Sequence, residues 1–515
     1  MEKMLDTVQS YAEMGKYKRV PVFRELYADA FTPVEVMRSL RAASRHCFLL
    51  ESAEDKQKWG RYSFLGYAPT LEITCTDGRV TITEGGEDEN KRVRQFQTDH
   101  PGKVLRKILK EYKSPVMKDV PPFTGGLIGY FSYDYMKYPE PTLKPVLEQR
   151  REDEGKDQKE QEFRDVDLML FDKVIVFDHY RQKLILITGV RLEGNLSENC
   201  QKAMGELLEM ERLIKSGAKA DFRPLELFRE KDGENVTDGF SYGAGKEEFC
   251  RMTEEAGRYI REGDIFQVVL SNPITVRARG SLFDVYRVLR TLNPSPYMFY
   301  FSSDDIEVTG ASPETLAKLE NGKLFTFPLA GTRPRGRTEE EDQKLERELL
   351  KDEKECAEHN MLVDLGRNDI GKISMPGSVQ VEKYMEIQRF SHVMHIGSTV
   401  SGQIRKDKDA VDVIDAILPA GTLSGAPKIR ACQIIARLEK QNRGIYGGAV
   451  GYLDFTGNLD TCISIRLAYK KNGRICIQSG AGIVADSIPE KEFNECRNKA
   501  GAVLKAVRMA EGGLA

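Results

Sequence analysis

Four glutamates in two pairs, Glu355/Glu358 and Glu492/Glu495, are the side chains of this sequence best placed to do chemistry. The i, i+3 spacing within each pair sets both carboxylates on one side of a helix. One such pair alone reads as a solvated helix face. Two pairs from distant segments, ECAEHNMLVDLGRNDIG and SIPEKEFNECRNKAG, can meet across a cleft. There they would hold a hard divalent cation through oxygen ligands. Mg2+ bound this way keeps waters and open positions that can grip a substrate carboxylate. The expected ligand is a small anionic metabolite.

Further candidates lie nearby in the same half of the chain. Residues 459–470 read as one strand, with Ile463, Ile465 and Leu467 on one face and Cys462, Ser464, Arg466 and Ala468 on the other. Among small neighbours the Arg466 guanidinium has room for a bidentate carboxylate, of a substrate or of a protein acid. Ser479-Gly480-Ala481-Gly482-Ile483 follows a strand, so its backbone N–H groups can approach an anion, or it simply makes a tight turn. It lacks the third glycine of a dinucleotide loop. Gly421-Thr422-Leu423-Ser424-Gly425-Ala426-Pro427 leads into a helix, whose N-terminus can bind an anion. Glu314, in GASPETL, is a general-acid candidate on a turn, or an acid favouring a helix dipole. His392 and His395 form no HExxH, so no zinc is expected; a His beside a metal could transfer protons or bind substrate.

The elements that must position these groups follow from pattern. Helices fit residues 197–216, 246–262, 339–365, 426–440 and 488–510. Thr338 with Glu341, and Ser487 with Glu490, read as capping boxes on the two Glu-pair helices, and Gly366 as the stop of the first. Asn321-Gly322 and Asn472-Gly473 mark tight hairpins, the second inside a meander over 446–454, 459–470 and 474–479. The run 167–190 reads as a hairpin turning near 180–182, and the charged stretch 148–163 as an exposed insertion. Strands then helices, without regular alternation, predict an α+β fold with large antiparallel β-sheets flanked by helices. The predicted seam lies between a 1–230 region and a 240–515 region.

Bulk properties exclude several classes. The 515 residues carry 77 basic and 80 acidic side chains, a formal charge of −3, which gives no case for nucleic acid or a membrane surface. No apolar run approaches a bilayer span, and the N-terminal stretch has no uninterrupted apolar signal core. Nine scattered cysteines without a CxxC pair suggest reduced thiols and a cytoplasmic protein.

Across residues 263–500, the segments GDIFQVVLS, NPSPYMFYF, GASPETL, PLAGTRPRG, DEKECAEHNMLVDLGRND, SHVMH, LPAGTLSGAPK, YGGAVGY and QSGAGIVADSIPEKEFNE occur in order. Together they closely resemble the chorismate-utilising enzyme family, and within it the component I large subunits of anthranilate synthases. The resemblance implies a two-layer chorismate-utilising fold with the catalytic region in 240–515. It implies conversion of chorismate and ammonia to anthranilate and pyruvate in tryptophan biosynthesis. Glu358 and Glu495 would ligate Mg2+, which holds the ring carboxylate, with Glu355 and Glu492 acting through metal-bound waters. Arg466, Tyr446 and the backbone of Gly480, Ala481 and Gly482 would hold the enolpyruvyl carboxylate. Glu314 would protonate the departing 4-hydroxyl while ammonia adds at C2, with His395 and Thr422 lining the pocket.

Two positions discriminate within the family. The 4-aminodeoxychorismate synthases, the alternative reading, usually carry a nucleophilic Lys where this chain has Ala330. Isochorismate and salicylate synthases place a Lys base where this chain has Gln267. None of the nine cysteines has a Gly neighbour, so a fused glutaminase is not expected and ammonia would come from a separate glutamine amidotransferase subunit (component II). LLES (49–52) and NPSPYM resemble the family's feedback pocket, with Ser52, Pro294, Tyr297 and Met298 as contacts of L-tryptophan.

Overall fold

The computed structural model describes residues 2–514 except 53–58, 86–90, 154–162, 218–222, 231–232, 234 and 390–392. His392 and most of the charged stretch 148–163 therefore lie outside the described residues. Two large antiparallel sheets, of 14 and 12 strands among the described residues, form the fold. This is the α+β architecture expected from the sequence.

The sheets pack face to face. Phe48, Phe64, Val176, Phe299 and Val308 of the first sheet interleave with Ile128, Tyr130, Met169, Val450 and Tyr452 of the second in one apolar cluster. Helices cover the outer faces. Helices Pro33–Ala43, Leu196–Lys215, Phe283–Leu292 and Pro489–Met509 bury apolar residues on the first sheet, and Pro101–Glu111, Glu353–Gly371 and Ala410–Ile417 do so on the second. Strands that are buried on both faces read as continuous apolar runs rather than alternating ones. Strands from both sides of residues 230–240 share each sheet: Cys47–Glu51 pairs with Tyr297–Ser302, and Gly126–Phe131 with Ala449–Asp454.

The chain crosses between sheets where the sequence shows no break. Residues 167–190 are three strands, not a hairpin: Val166–Phe171 lies in the 12-stranded sheet, and the Val174–Asp178/Lys183–Arg191 hairpin in the other. The expected strand 459–470 is likewise two strands. Leu459–Ile463 belongs to the 12-stranded sheet and Leu467–Lys471 to the 14-stranded one, so the simple alternation of faces across Arg466 does not hold. Both Asn-Gly hairpins form, with positive φ at Asn321 and Gly322 and at Asn472 and Gly473, as a tight hairpin turn requires.

The helices also depart from expectation. The stretch 339–365 is two helices, Glu339–Leu350 and Glu353–Gly371. Thr338 caps only the first; Asp352 caps the Glu-pair helix, accepting from the Glu355 N–H at 3.2 Å. A short acidic side chain offering its oxygen to the free N–H groups restarts the helix there. Gly366 does not stop it: it lacks the positive φ of a helix stop and the helix continues to Gly371, with the absent Cβ leaving room for Thr326, which one would meet at 3.1 Å. Pro489–Met509 has no side-chain cap; Ser487 Oγ instead accepts from the Val484 N–H at 3.1 Å. Within 148–163, Arg150 is buried on the helix Lys144–Asp153 and pairs with Asp134 at 2.7 Å, so that part is not an exposed insertion.

Candidate active site

Two crossovers between the sheets build the core of the site. Glu314 lies between Ile306–Ser312 of the first sheet and Thr315–Glu320 of the second, and Arg466 lies on the return crossing. The crossings hold each other: the Ile463 N–H donates to the Glu314 carbonyl at 3.0 Å, and the Ala311 N–H to the Arg466 carbonyl at 3.0 Å. Arg466 has φ +54°, a left-handed conformation that non-glycine residues adopt only where surroundings impose it. Its guanidinium donates to the Lys499 carbonyl. Glu495 is the acid whose field reaches it, yet among the described residues no ion pair joins the two. The protein-acid alternative for Arg466 is thus not realised there, and burial holds its pKa below the usual arginine value.

A cavity of about 580 Å³ opens at this point, lined by Gln267, Glu314, Ala330, His395, Thr422, Tyr446, Arg466, Gly480, Gly482 and all four paired glutamates. The structure therefore gathers every expected active-site residue except Ala481. That side chain faces away, into an apolar cluster with Val268, Ile434 and Ile483. The flanking glycines are required by close approach: a Cβ at Gly480 would meet the Leu270 carbonyl at 2.6 Å and Tyr446 Oη at 2.9 Å, and one at Gly482 would meet Gln267 Nε2 at 2.8 Å.

Glu314 differs from the paired acids in that no neighbouring carboxylate contributes to its shift. Burial lifts the Glu314 carboxyl to about 7, although Thr422 Oγ1 donates to it at 3.1 Å and Lys499 opposes the shift. Burial also raises Glu358, with Glu355 and Glu495 adding repulsion, and raises Glu492, with Glu495 again contributing. The two pairs thus sense each other across the cleft, as like charges do within a few ångströms. Lys499 Nζ sits 2.7 Å from Glu495 Oε1, a protein cation at the acids. An all-oxygen donor set with a cation already drawn to it fits Mg2+.

His395 is held by its Nδ1, 2.8 Å from the Gly331 carbonyl and 3.1 Å from Thr332 Oγ1. A carbonyl only accepts, so the proton sits on Nδ1. Burial lowers the pKa and favours the neutral ring. Sequence reasoning missed Lys499, although its i+4 spacing from Glu495 was available, and missed Lys354, which lines the cavity on the first Glu-pair helix.

A second cavity of about 600 Å³ is bounded in part by the Thr315–Glu320 and Leu459–Ile463 strands. It is lined by Ser52, Tyr297 and Met298 with Arg61, Lys318 and Asp460. Pro294 is half-buried and does not line it.

The class of enzyme follows from the sequence as a whole: residues 45–505 match the chorismate binding enzyme family, to which the chain belongs. It is 44% identical over 508 residues to the anthranilate synthase component 1 of Acetivibrio thermocellus, covering 98% of each chain. The crystal structure of anthranilate synthase component I from Streptococcus pneumoniae TIGR4 superposes with a TM-score of 0.69 at 36% identity, over 86% of this chain and 92% of that one. The menaquinone-specific isochorismate synthase of Escherichia coli shares the fold, with a TM-score of 0.65 at 19% identity over 98% of each chain. All nine cysteines are free, and among the described residues no helix is long and apolar enough to cross a membrane.

Proposed function

We propose that this chain is the large subunit of a Mg2+-dependent anthranilate synthase, turning chorismate and ammonia into anthranilate, pyruvate and water. The observation that carries the reading is Glu314, a carboxyl held at about 7 in a cavity that also presents Arg466 and four glutamates. Glu358 and Glu495 would hold Mg2+, with Glu355 and Glu492 ordering its water shell. When bound, the ion neutralises the ring carboxylate and draws charge from the ring.

The chain's own groups supply the rest. Arg466, with the N–H groups around Gly480 and Gly482, takes the enolpyruvyl carboxylate as a charge-assisted contact. Hydroxide leaves poorly, so Glu314 passes its proton to the 4-hydroxyl as ammonia adds at C2, and water departs. Neutral His395, fixed by Gly331, orients the substrate beside Thr422. Loss of pyruvate with the C2 proton then makes the ring aromatic. Ala330 offers no nucleophile and Gln267 no base for water, which favours direct attack by ammonia over the aminodeoxychorismate and isochorismate reactions.

Ammonia would come from glutamine through a component II amidotransferase subunit. The second cavity would bind L-tryptophan as a feedback inhibitor: Arg61 and Lys318 suit its carboxylate, Asp460 its ammonium, and the apolar lining its indole. The test is an anthranilate-fluorescence and pyruvate assay with chorismate, ammonium and Mg2+, with and without EDTA. Both products, abolished by EDTA, support the reading. A non-aromatic amino product without pyruvate overturns it in favour of aminodeoxychorismate formation.

A further inference from the structure

We infer that His46, Glu72 and Asp304, none of which lines the cavity of glutamates, form a second divalent-metal site, suited to a transition metal of the Zn2+ class, that clamps the two sheets together. One ligand atom from each of the three lies within 4.8 Å of the others. His46 Nε2 stands 3.1 Å from Asp304 Oδ1. A nitrogen with two carboxylate oxygens selects a borderline ion over Mg2+, which prefers oxygen alone. Metal–ligand distances of about 2.0–2.2 Å imply edges of roughly 3.4 Å, so the three atoms need close by only about 1–1.5 Å. Asp304 is half-exposed, giving an ion a path in, while His46 and Glu72 are buried.

The placement explains a use for such an ion. His46 precedes the strand Cys47–Glu51 and Asp304 follows Tyr297–Ser302, both in the 14-stranded sheet. Glu72 lies on Leu71–Thr76 of the 12-stranded sheet. An ion bound by all three would tie the sheets at one edge of their packed faces.

A buried carboxylate coupled to this cluster supports it independently. Asp167, 1% exposed, shares Arg164 Nη1 with Glu72, at 2.9 and 3.0 Å. Its Oδ2 also accepts from Ser303 Oγ, next to Asp304, at 3.2 Å. Its Oδ1 is buried with no hydrogen-bond partner among the described residues. Buried carboxylate oxygens are seldom left so, and one orphaned on a residue that shares its arginine with Glu72 marks a group short of positive charge. The local cations, Arg164, Lys91 and Lys471, already serve Glu72, Asp167, Asp304 and Asp305. No sequence motif announces this site, because its residues stand far apart along the chain and meet only through the sheet contact.

The test is Co2+ titration of the full chain in excess Mg2+, read by visible absorption, with Zn2+-dependent melting in parallel. We expect one equivalent of Co2+ with ligand-field bands and no thiolate charge-transfer band. We expect Zn2+ to raise the melting temperature by several degrees, as a ligand of the native state does. Asp304→Asn, at a half-exposed position that should not disturb folding, and Glu72→Gln should each weaken Co2+ binding at least tenfold and remove the melting shift. Glu358→Gln should leave both intact. The proposal fails if binding is not saturable, if Asp304→Asn binds as tightly as the parent, if a thiolate band appears, or if Glu358→Gln abolishes binding.

Discussion

The Tyr297 phenol and the Thr315 hydroxyl meet at 2.9 Å, and Thr315 directly follows Glu314 in the chain. Tyr297 also donates to Asp460 Oδ1 at 2.8 Å, on the strand whose continuation becomes Arg466. A residue lining the second cavity is therefore one hydrogen bond from the residue next to the proposed acid, and one from the strand leading to the proposed carboxylate anchor. If L-tryptophan occupies that cavity, this link can carry its effect. Thr315→Val should still bind L-tryptophan by calorimetry, while the concentration for half-inhibition rises at least tenfold. Inhibition unchanged in this variant would remove Thr315 from the route.

Glu314 must be protonated to act as an acid, so kcat should fall as pH rises through about 7. Glu314→Gln should lower kcat by about 10²–10⁴-fold and erase that limb of the profile. Stability carries the same sign. A carboxyl raised above its unfolded value of 4.5 favours the folded state at low pH, and that contribution is lost as pH rises through about 7. Thermal melting should thus show Glu314→Gln gaining on the parent at pH 8 and not at pH 5. A flat kcat profile from pH 6 to 8 would assign the proton elsewhere.

The two cavity glycines should respond differently to a methyl group. At Gly480 the added carbon meets a backbone carbonyl that cannot move without opening the strand pairing with Leu270, so Gly480→Ala should lose most activity and melt lower. At Gly482 it meets the end of the Gln267 side chain, which can rotate. Gly482→Ala should fold normally with a raised KM for chorismate. Equal melting of the two variants would contradict the contact geometry.

Arg466→Ala removes a guanidinium with no acid partner among the described residues, so its loss should fall on substrate rather than on the fold. A charge-assisted hydrogen bond is worth about 1.5–3 kcal/mol, which corresponds to a KM for chorismate raised roughly 10- to 150-fold. The alanine also inherits φ +54°, an added strain that differential scanning calorimetry can separate from the binding loss. An unchanged KM would displace Arg466 from the carboxylate.

Glu358→Gln should abolish Mg2+-dependent turnover while circular dichroism shows the parent spectrum. Unchanged turnover would overturn the assignment of the ion to Glu358 and Glu495.

The sequence was most legible where one element faces one layer. The helices expected at 246–262 and 488–510 are Lys246–Arg261 and Pro489–Met509, because amphipathic stripes track a single buried face. It was least legible at the crossings. Residues 459–470 keep an apolar–polar alternation straight through Ser464–Ile465–Arg466, since both neighbouring layers are buried and the change of sheet leaves no mark in hydrophobicity. The left-handed turn that makes the crossing falls on an arginine, a residue no turn rule selects. Asp352 does carry a signal, a capping residue three before Glu355, but Thr338 gives the same signal earlier, and the pattern fits one helix through both as well as two. The site residues were legible because their chemistry is unusual for their setting, and Lys499 escaped notice as an ordinary surface cation.

The pairing of Gly126–Phe131 with Ala449–Asp454 bears on how the chain is made. Roughly 300 residues separate the two strands, so at about 5–20 residues per second a ribosome needs roughly 15–60 s to deliver the second after the first. Through that interval the nascent chain has one edge of a wholly apolar strand without its final partner, and safe synthesis depends on whatever shields that edge until the late strands emerge.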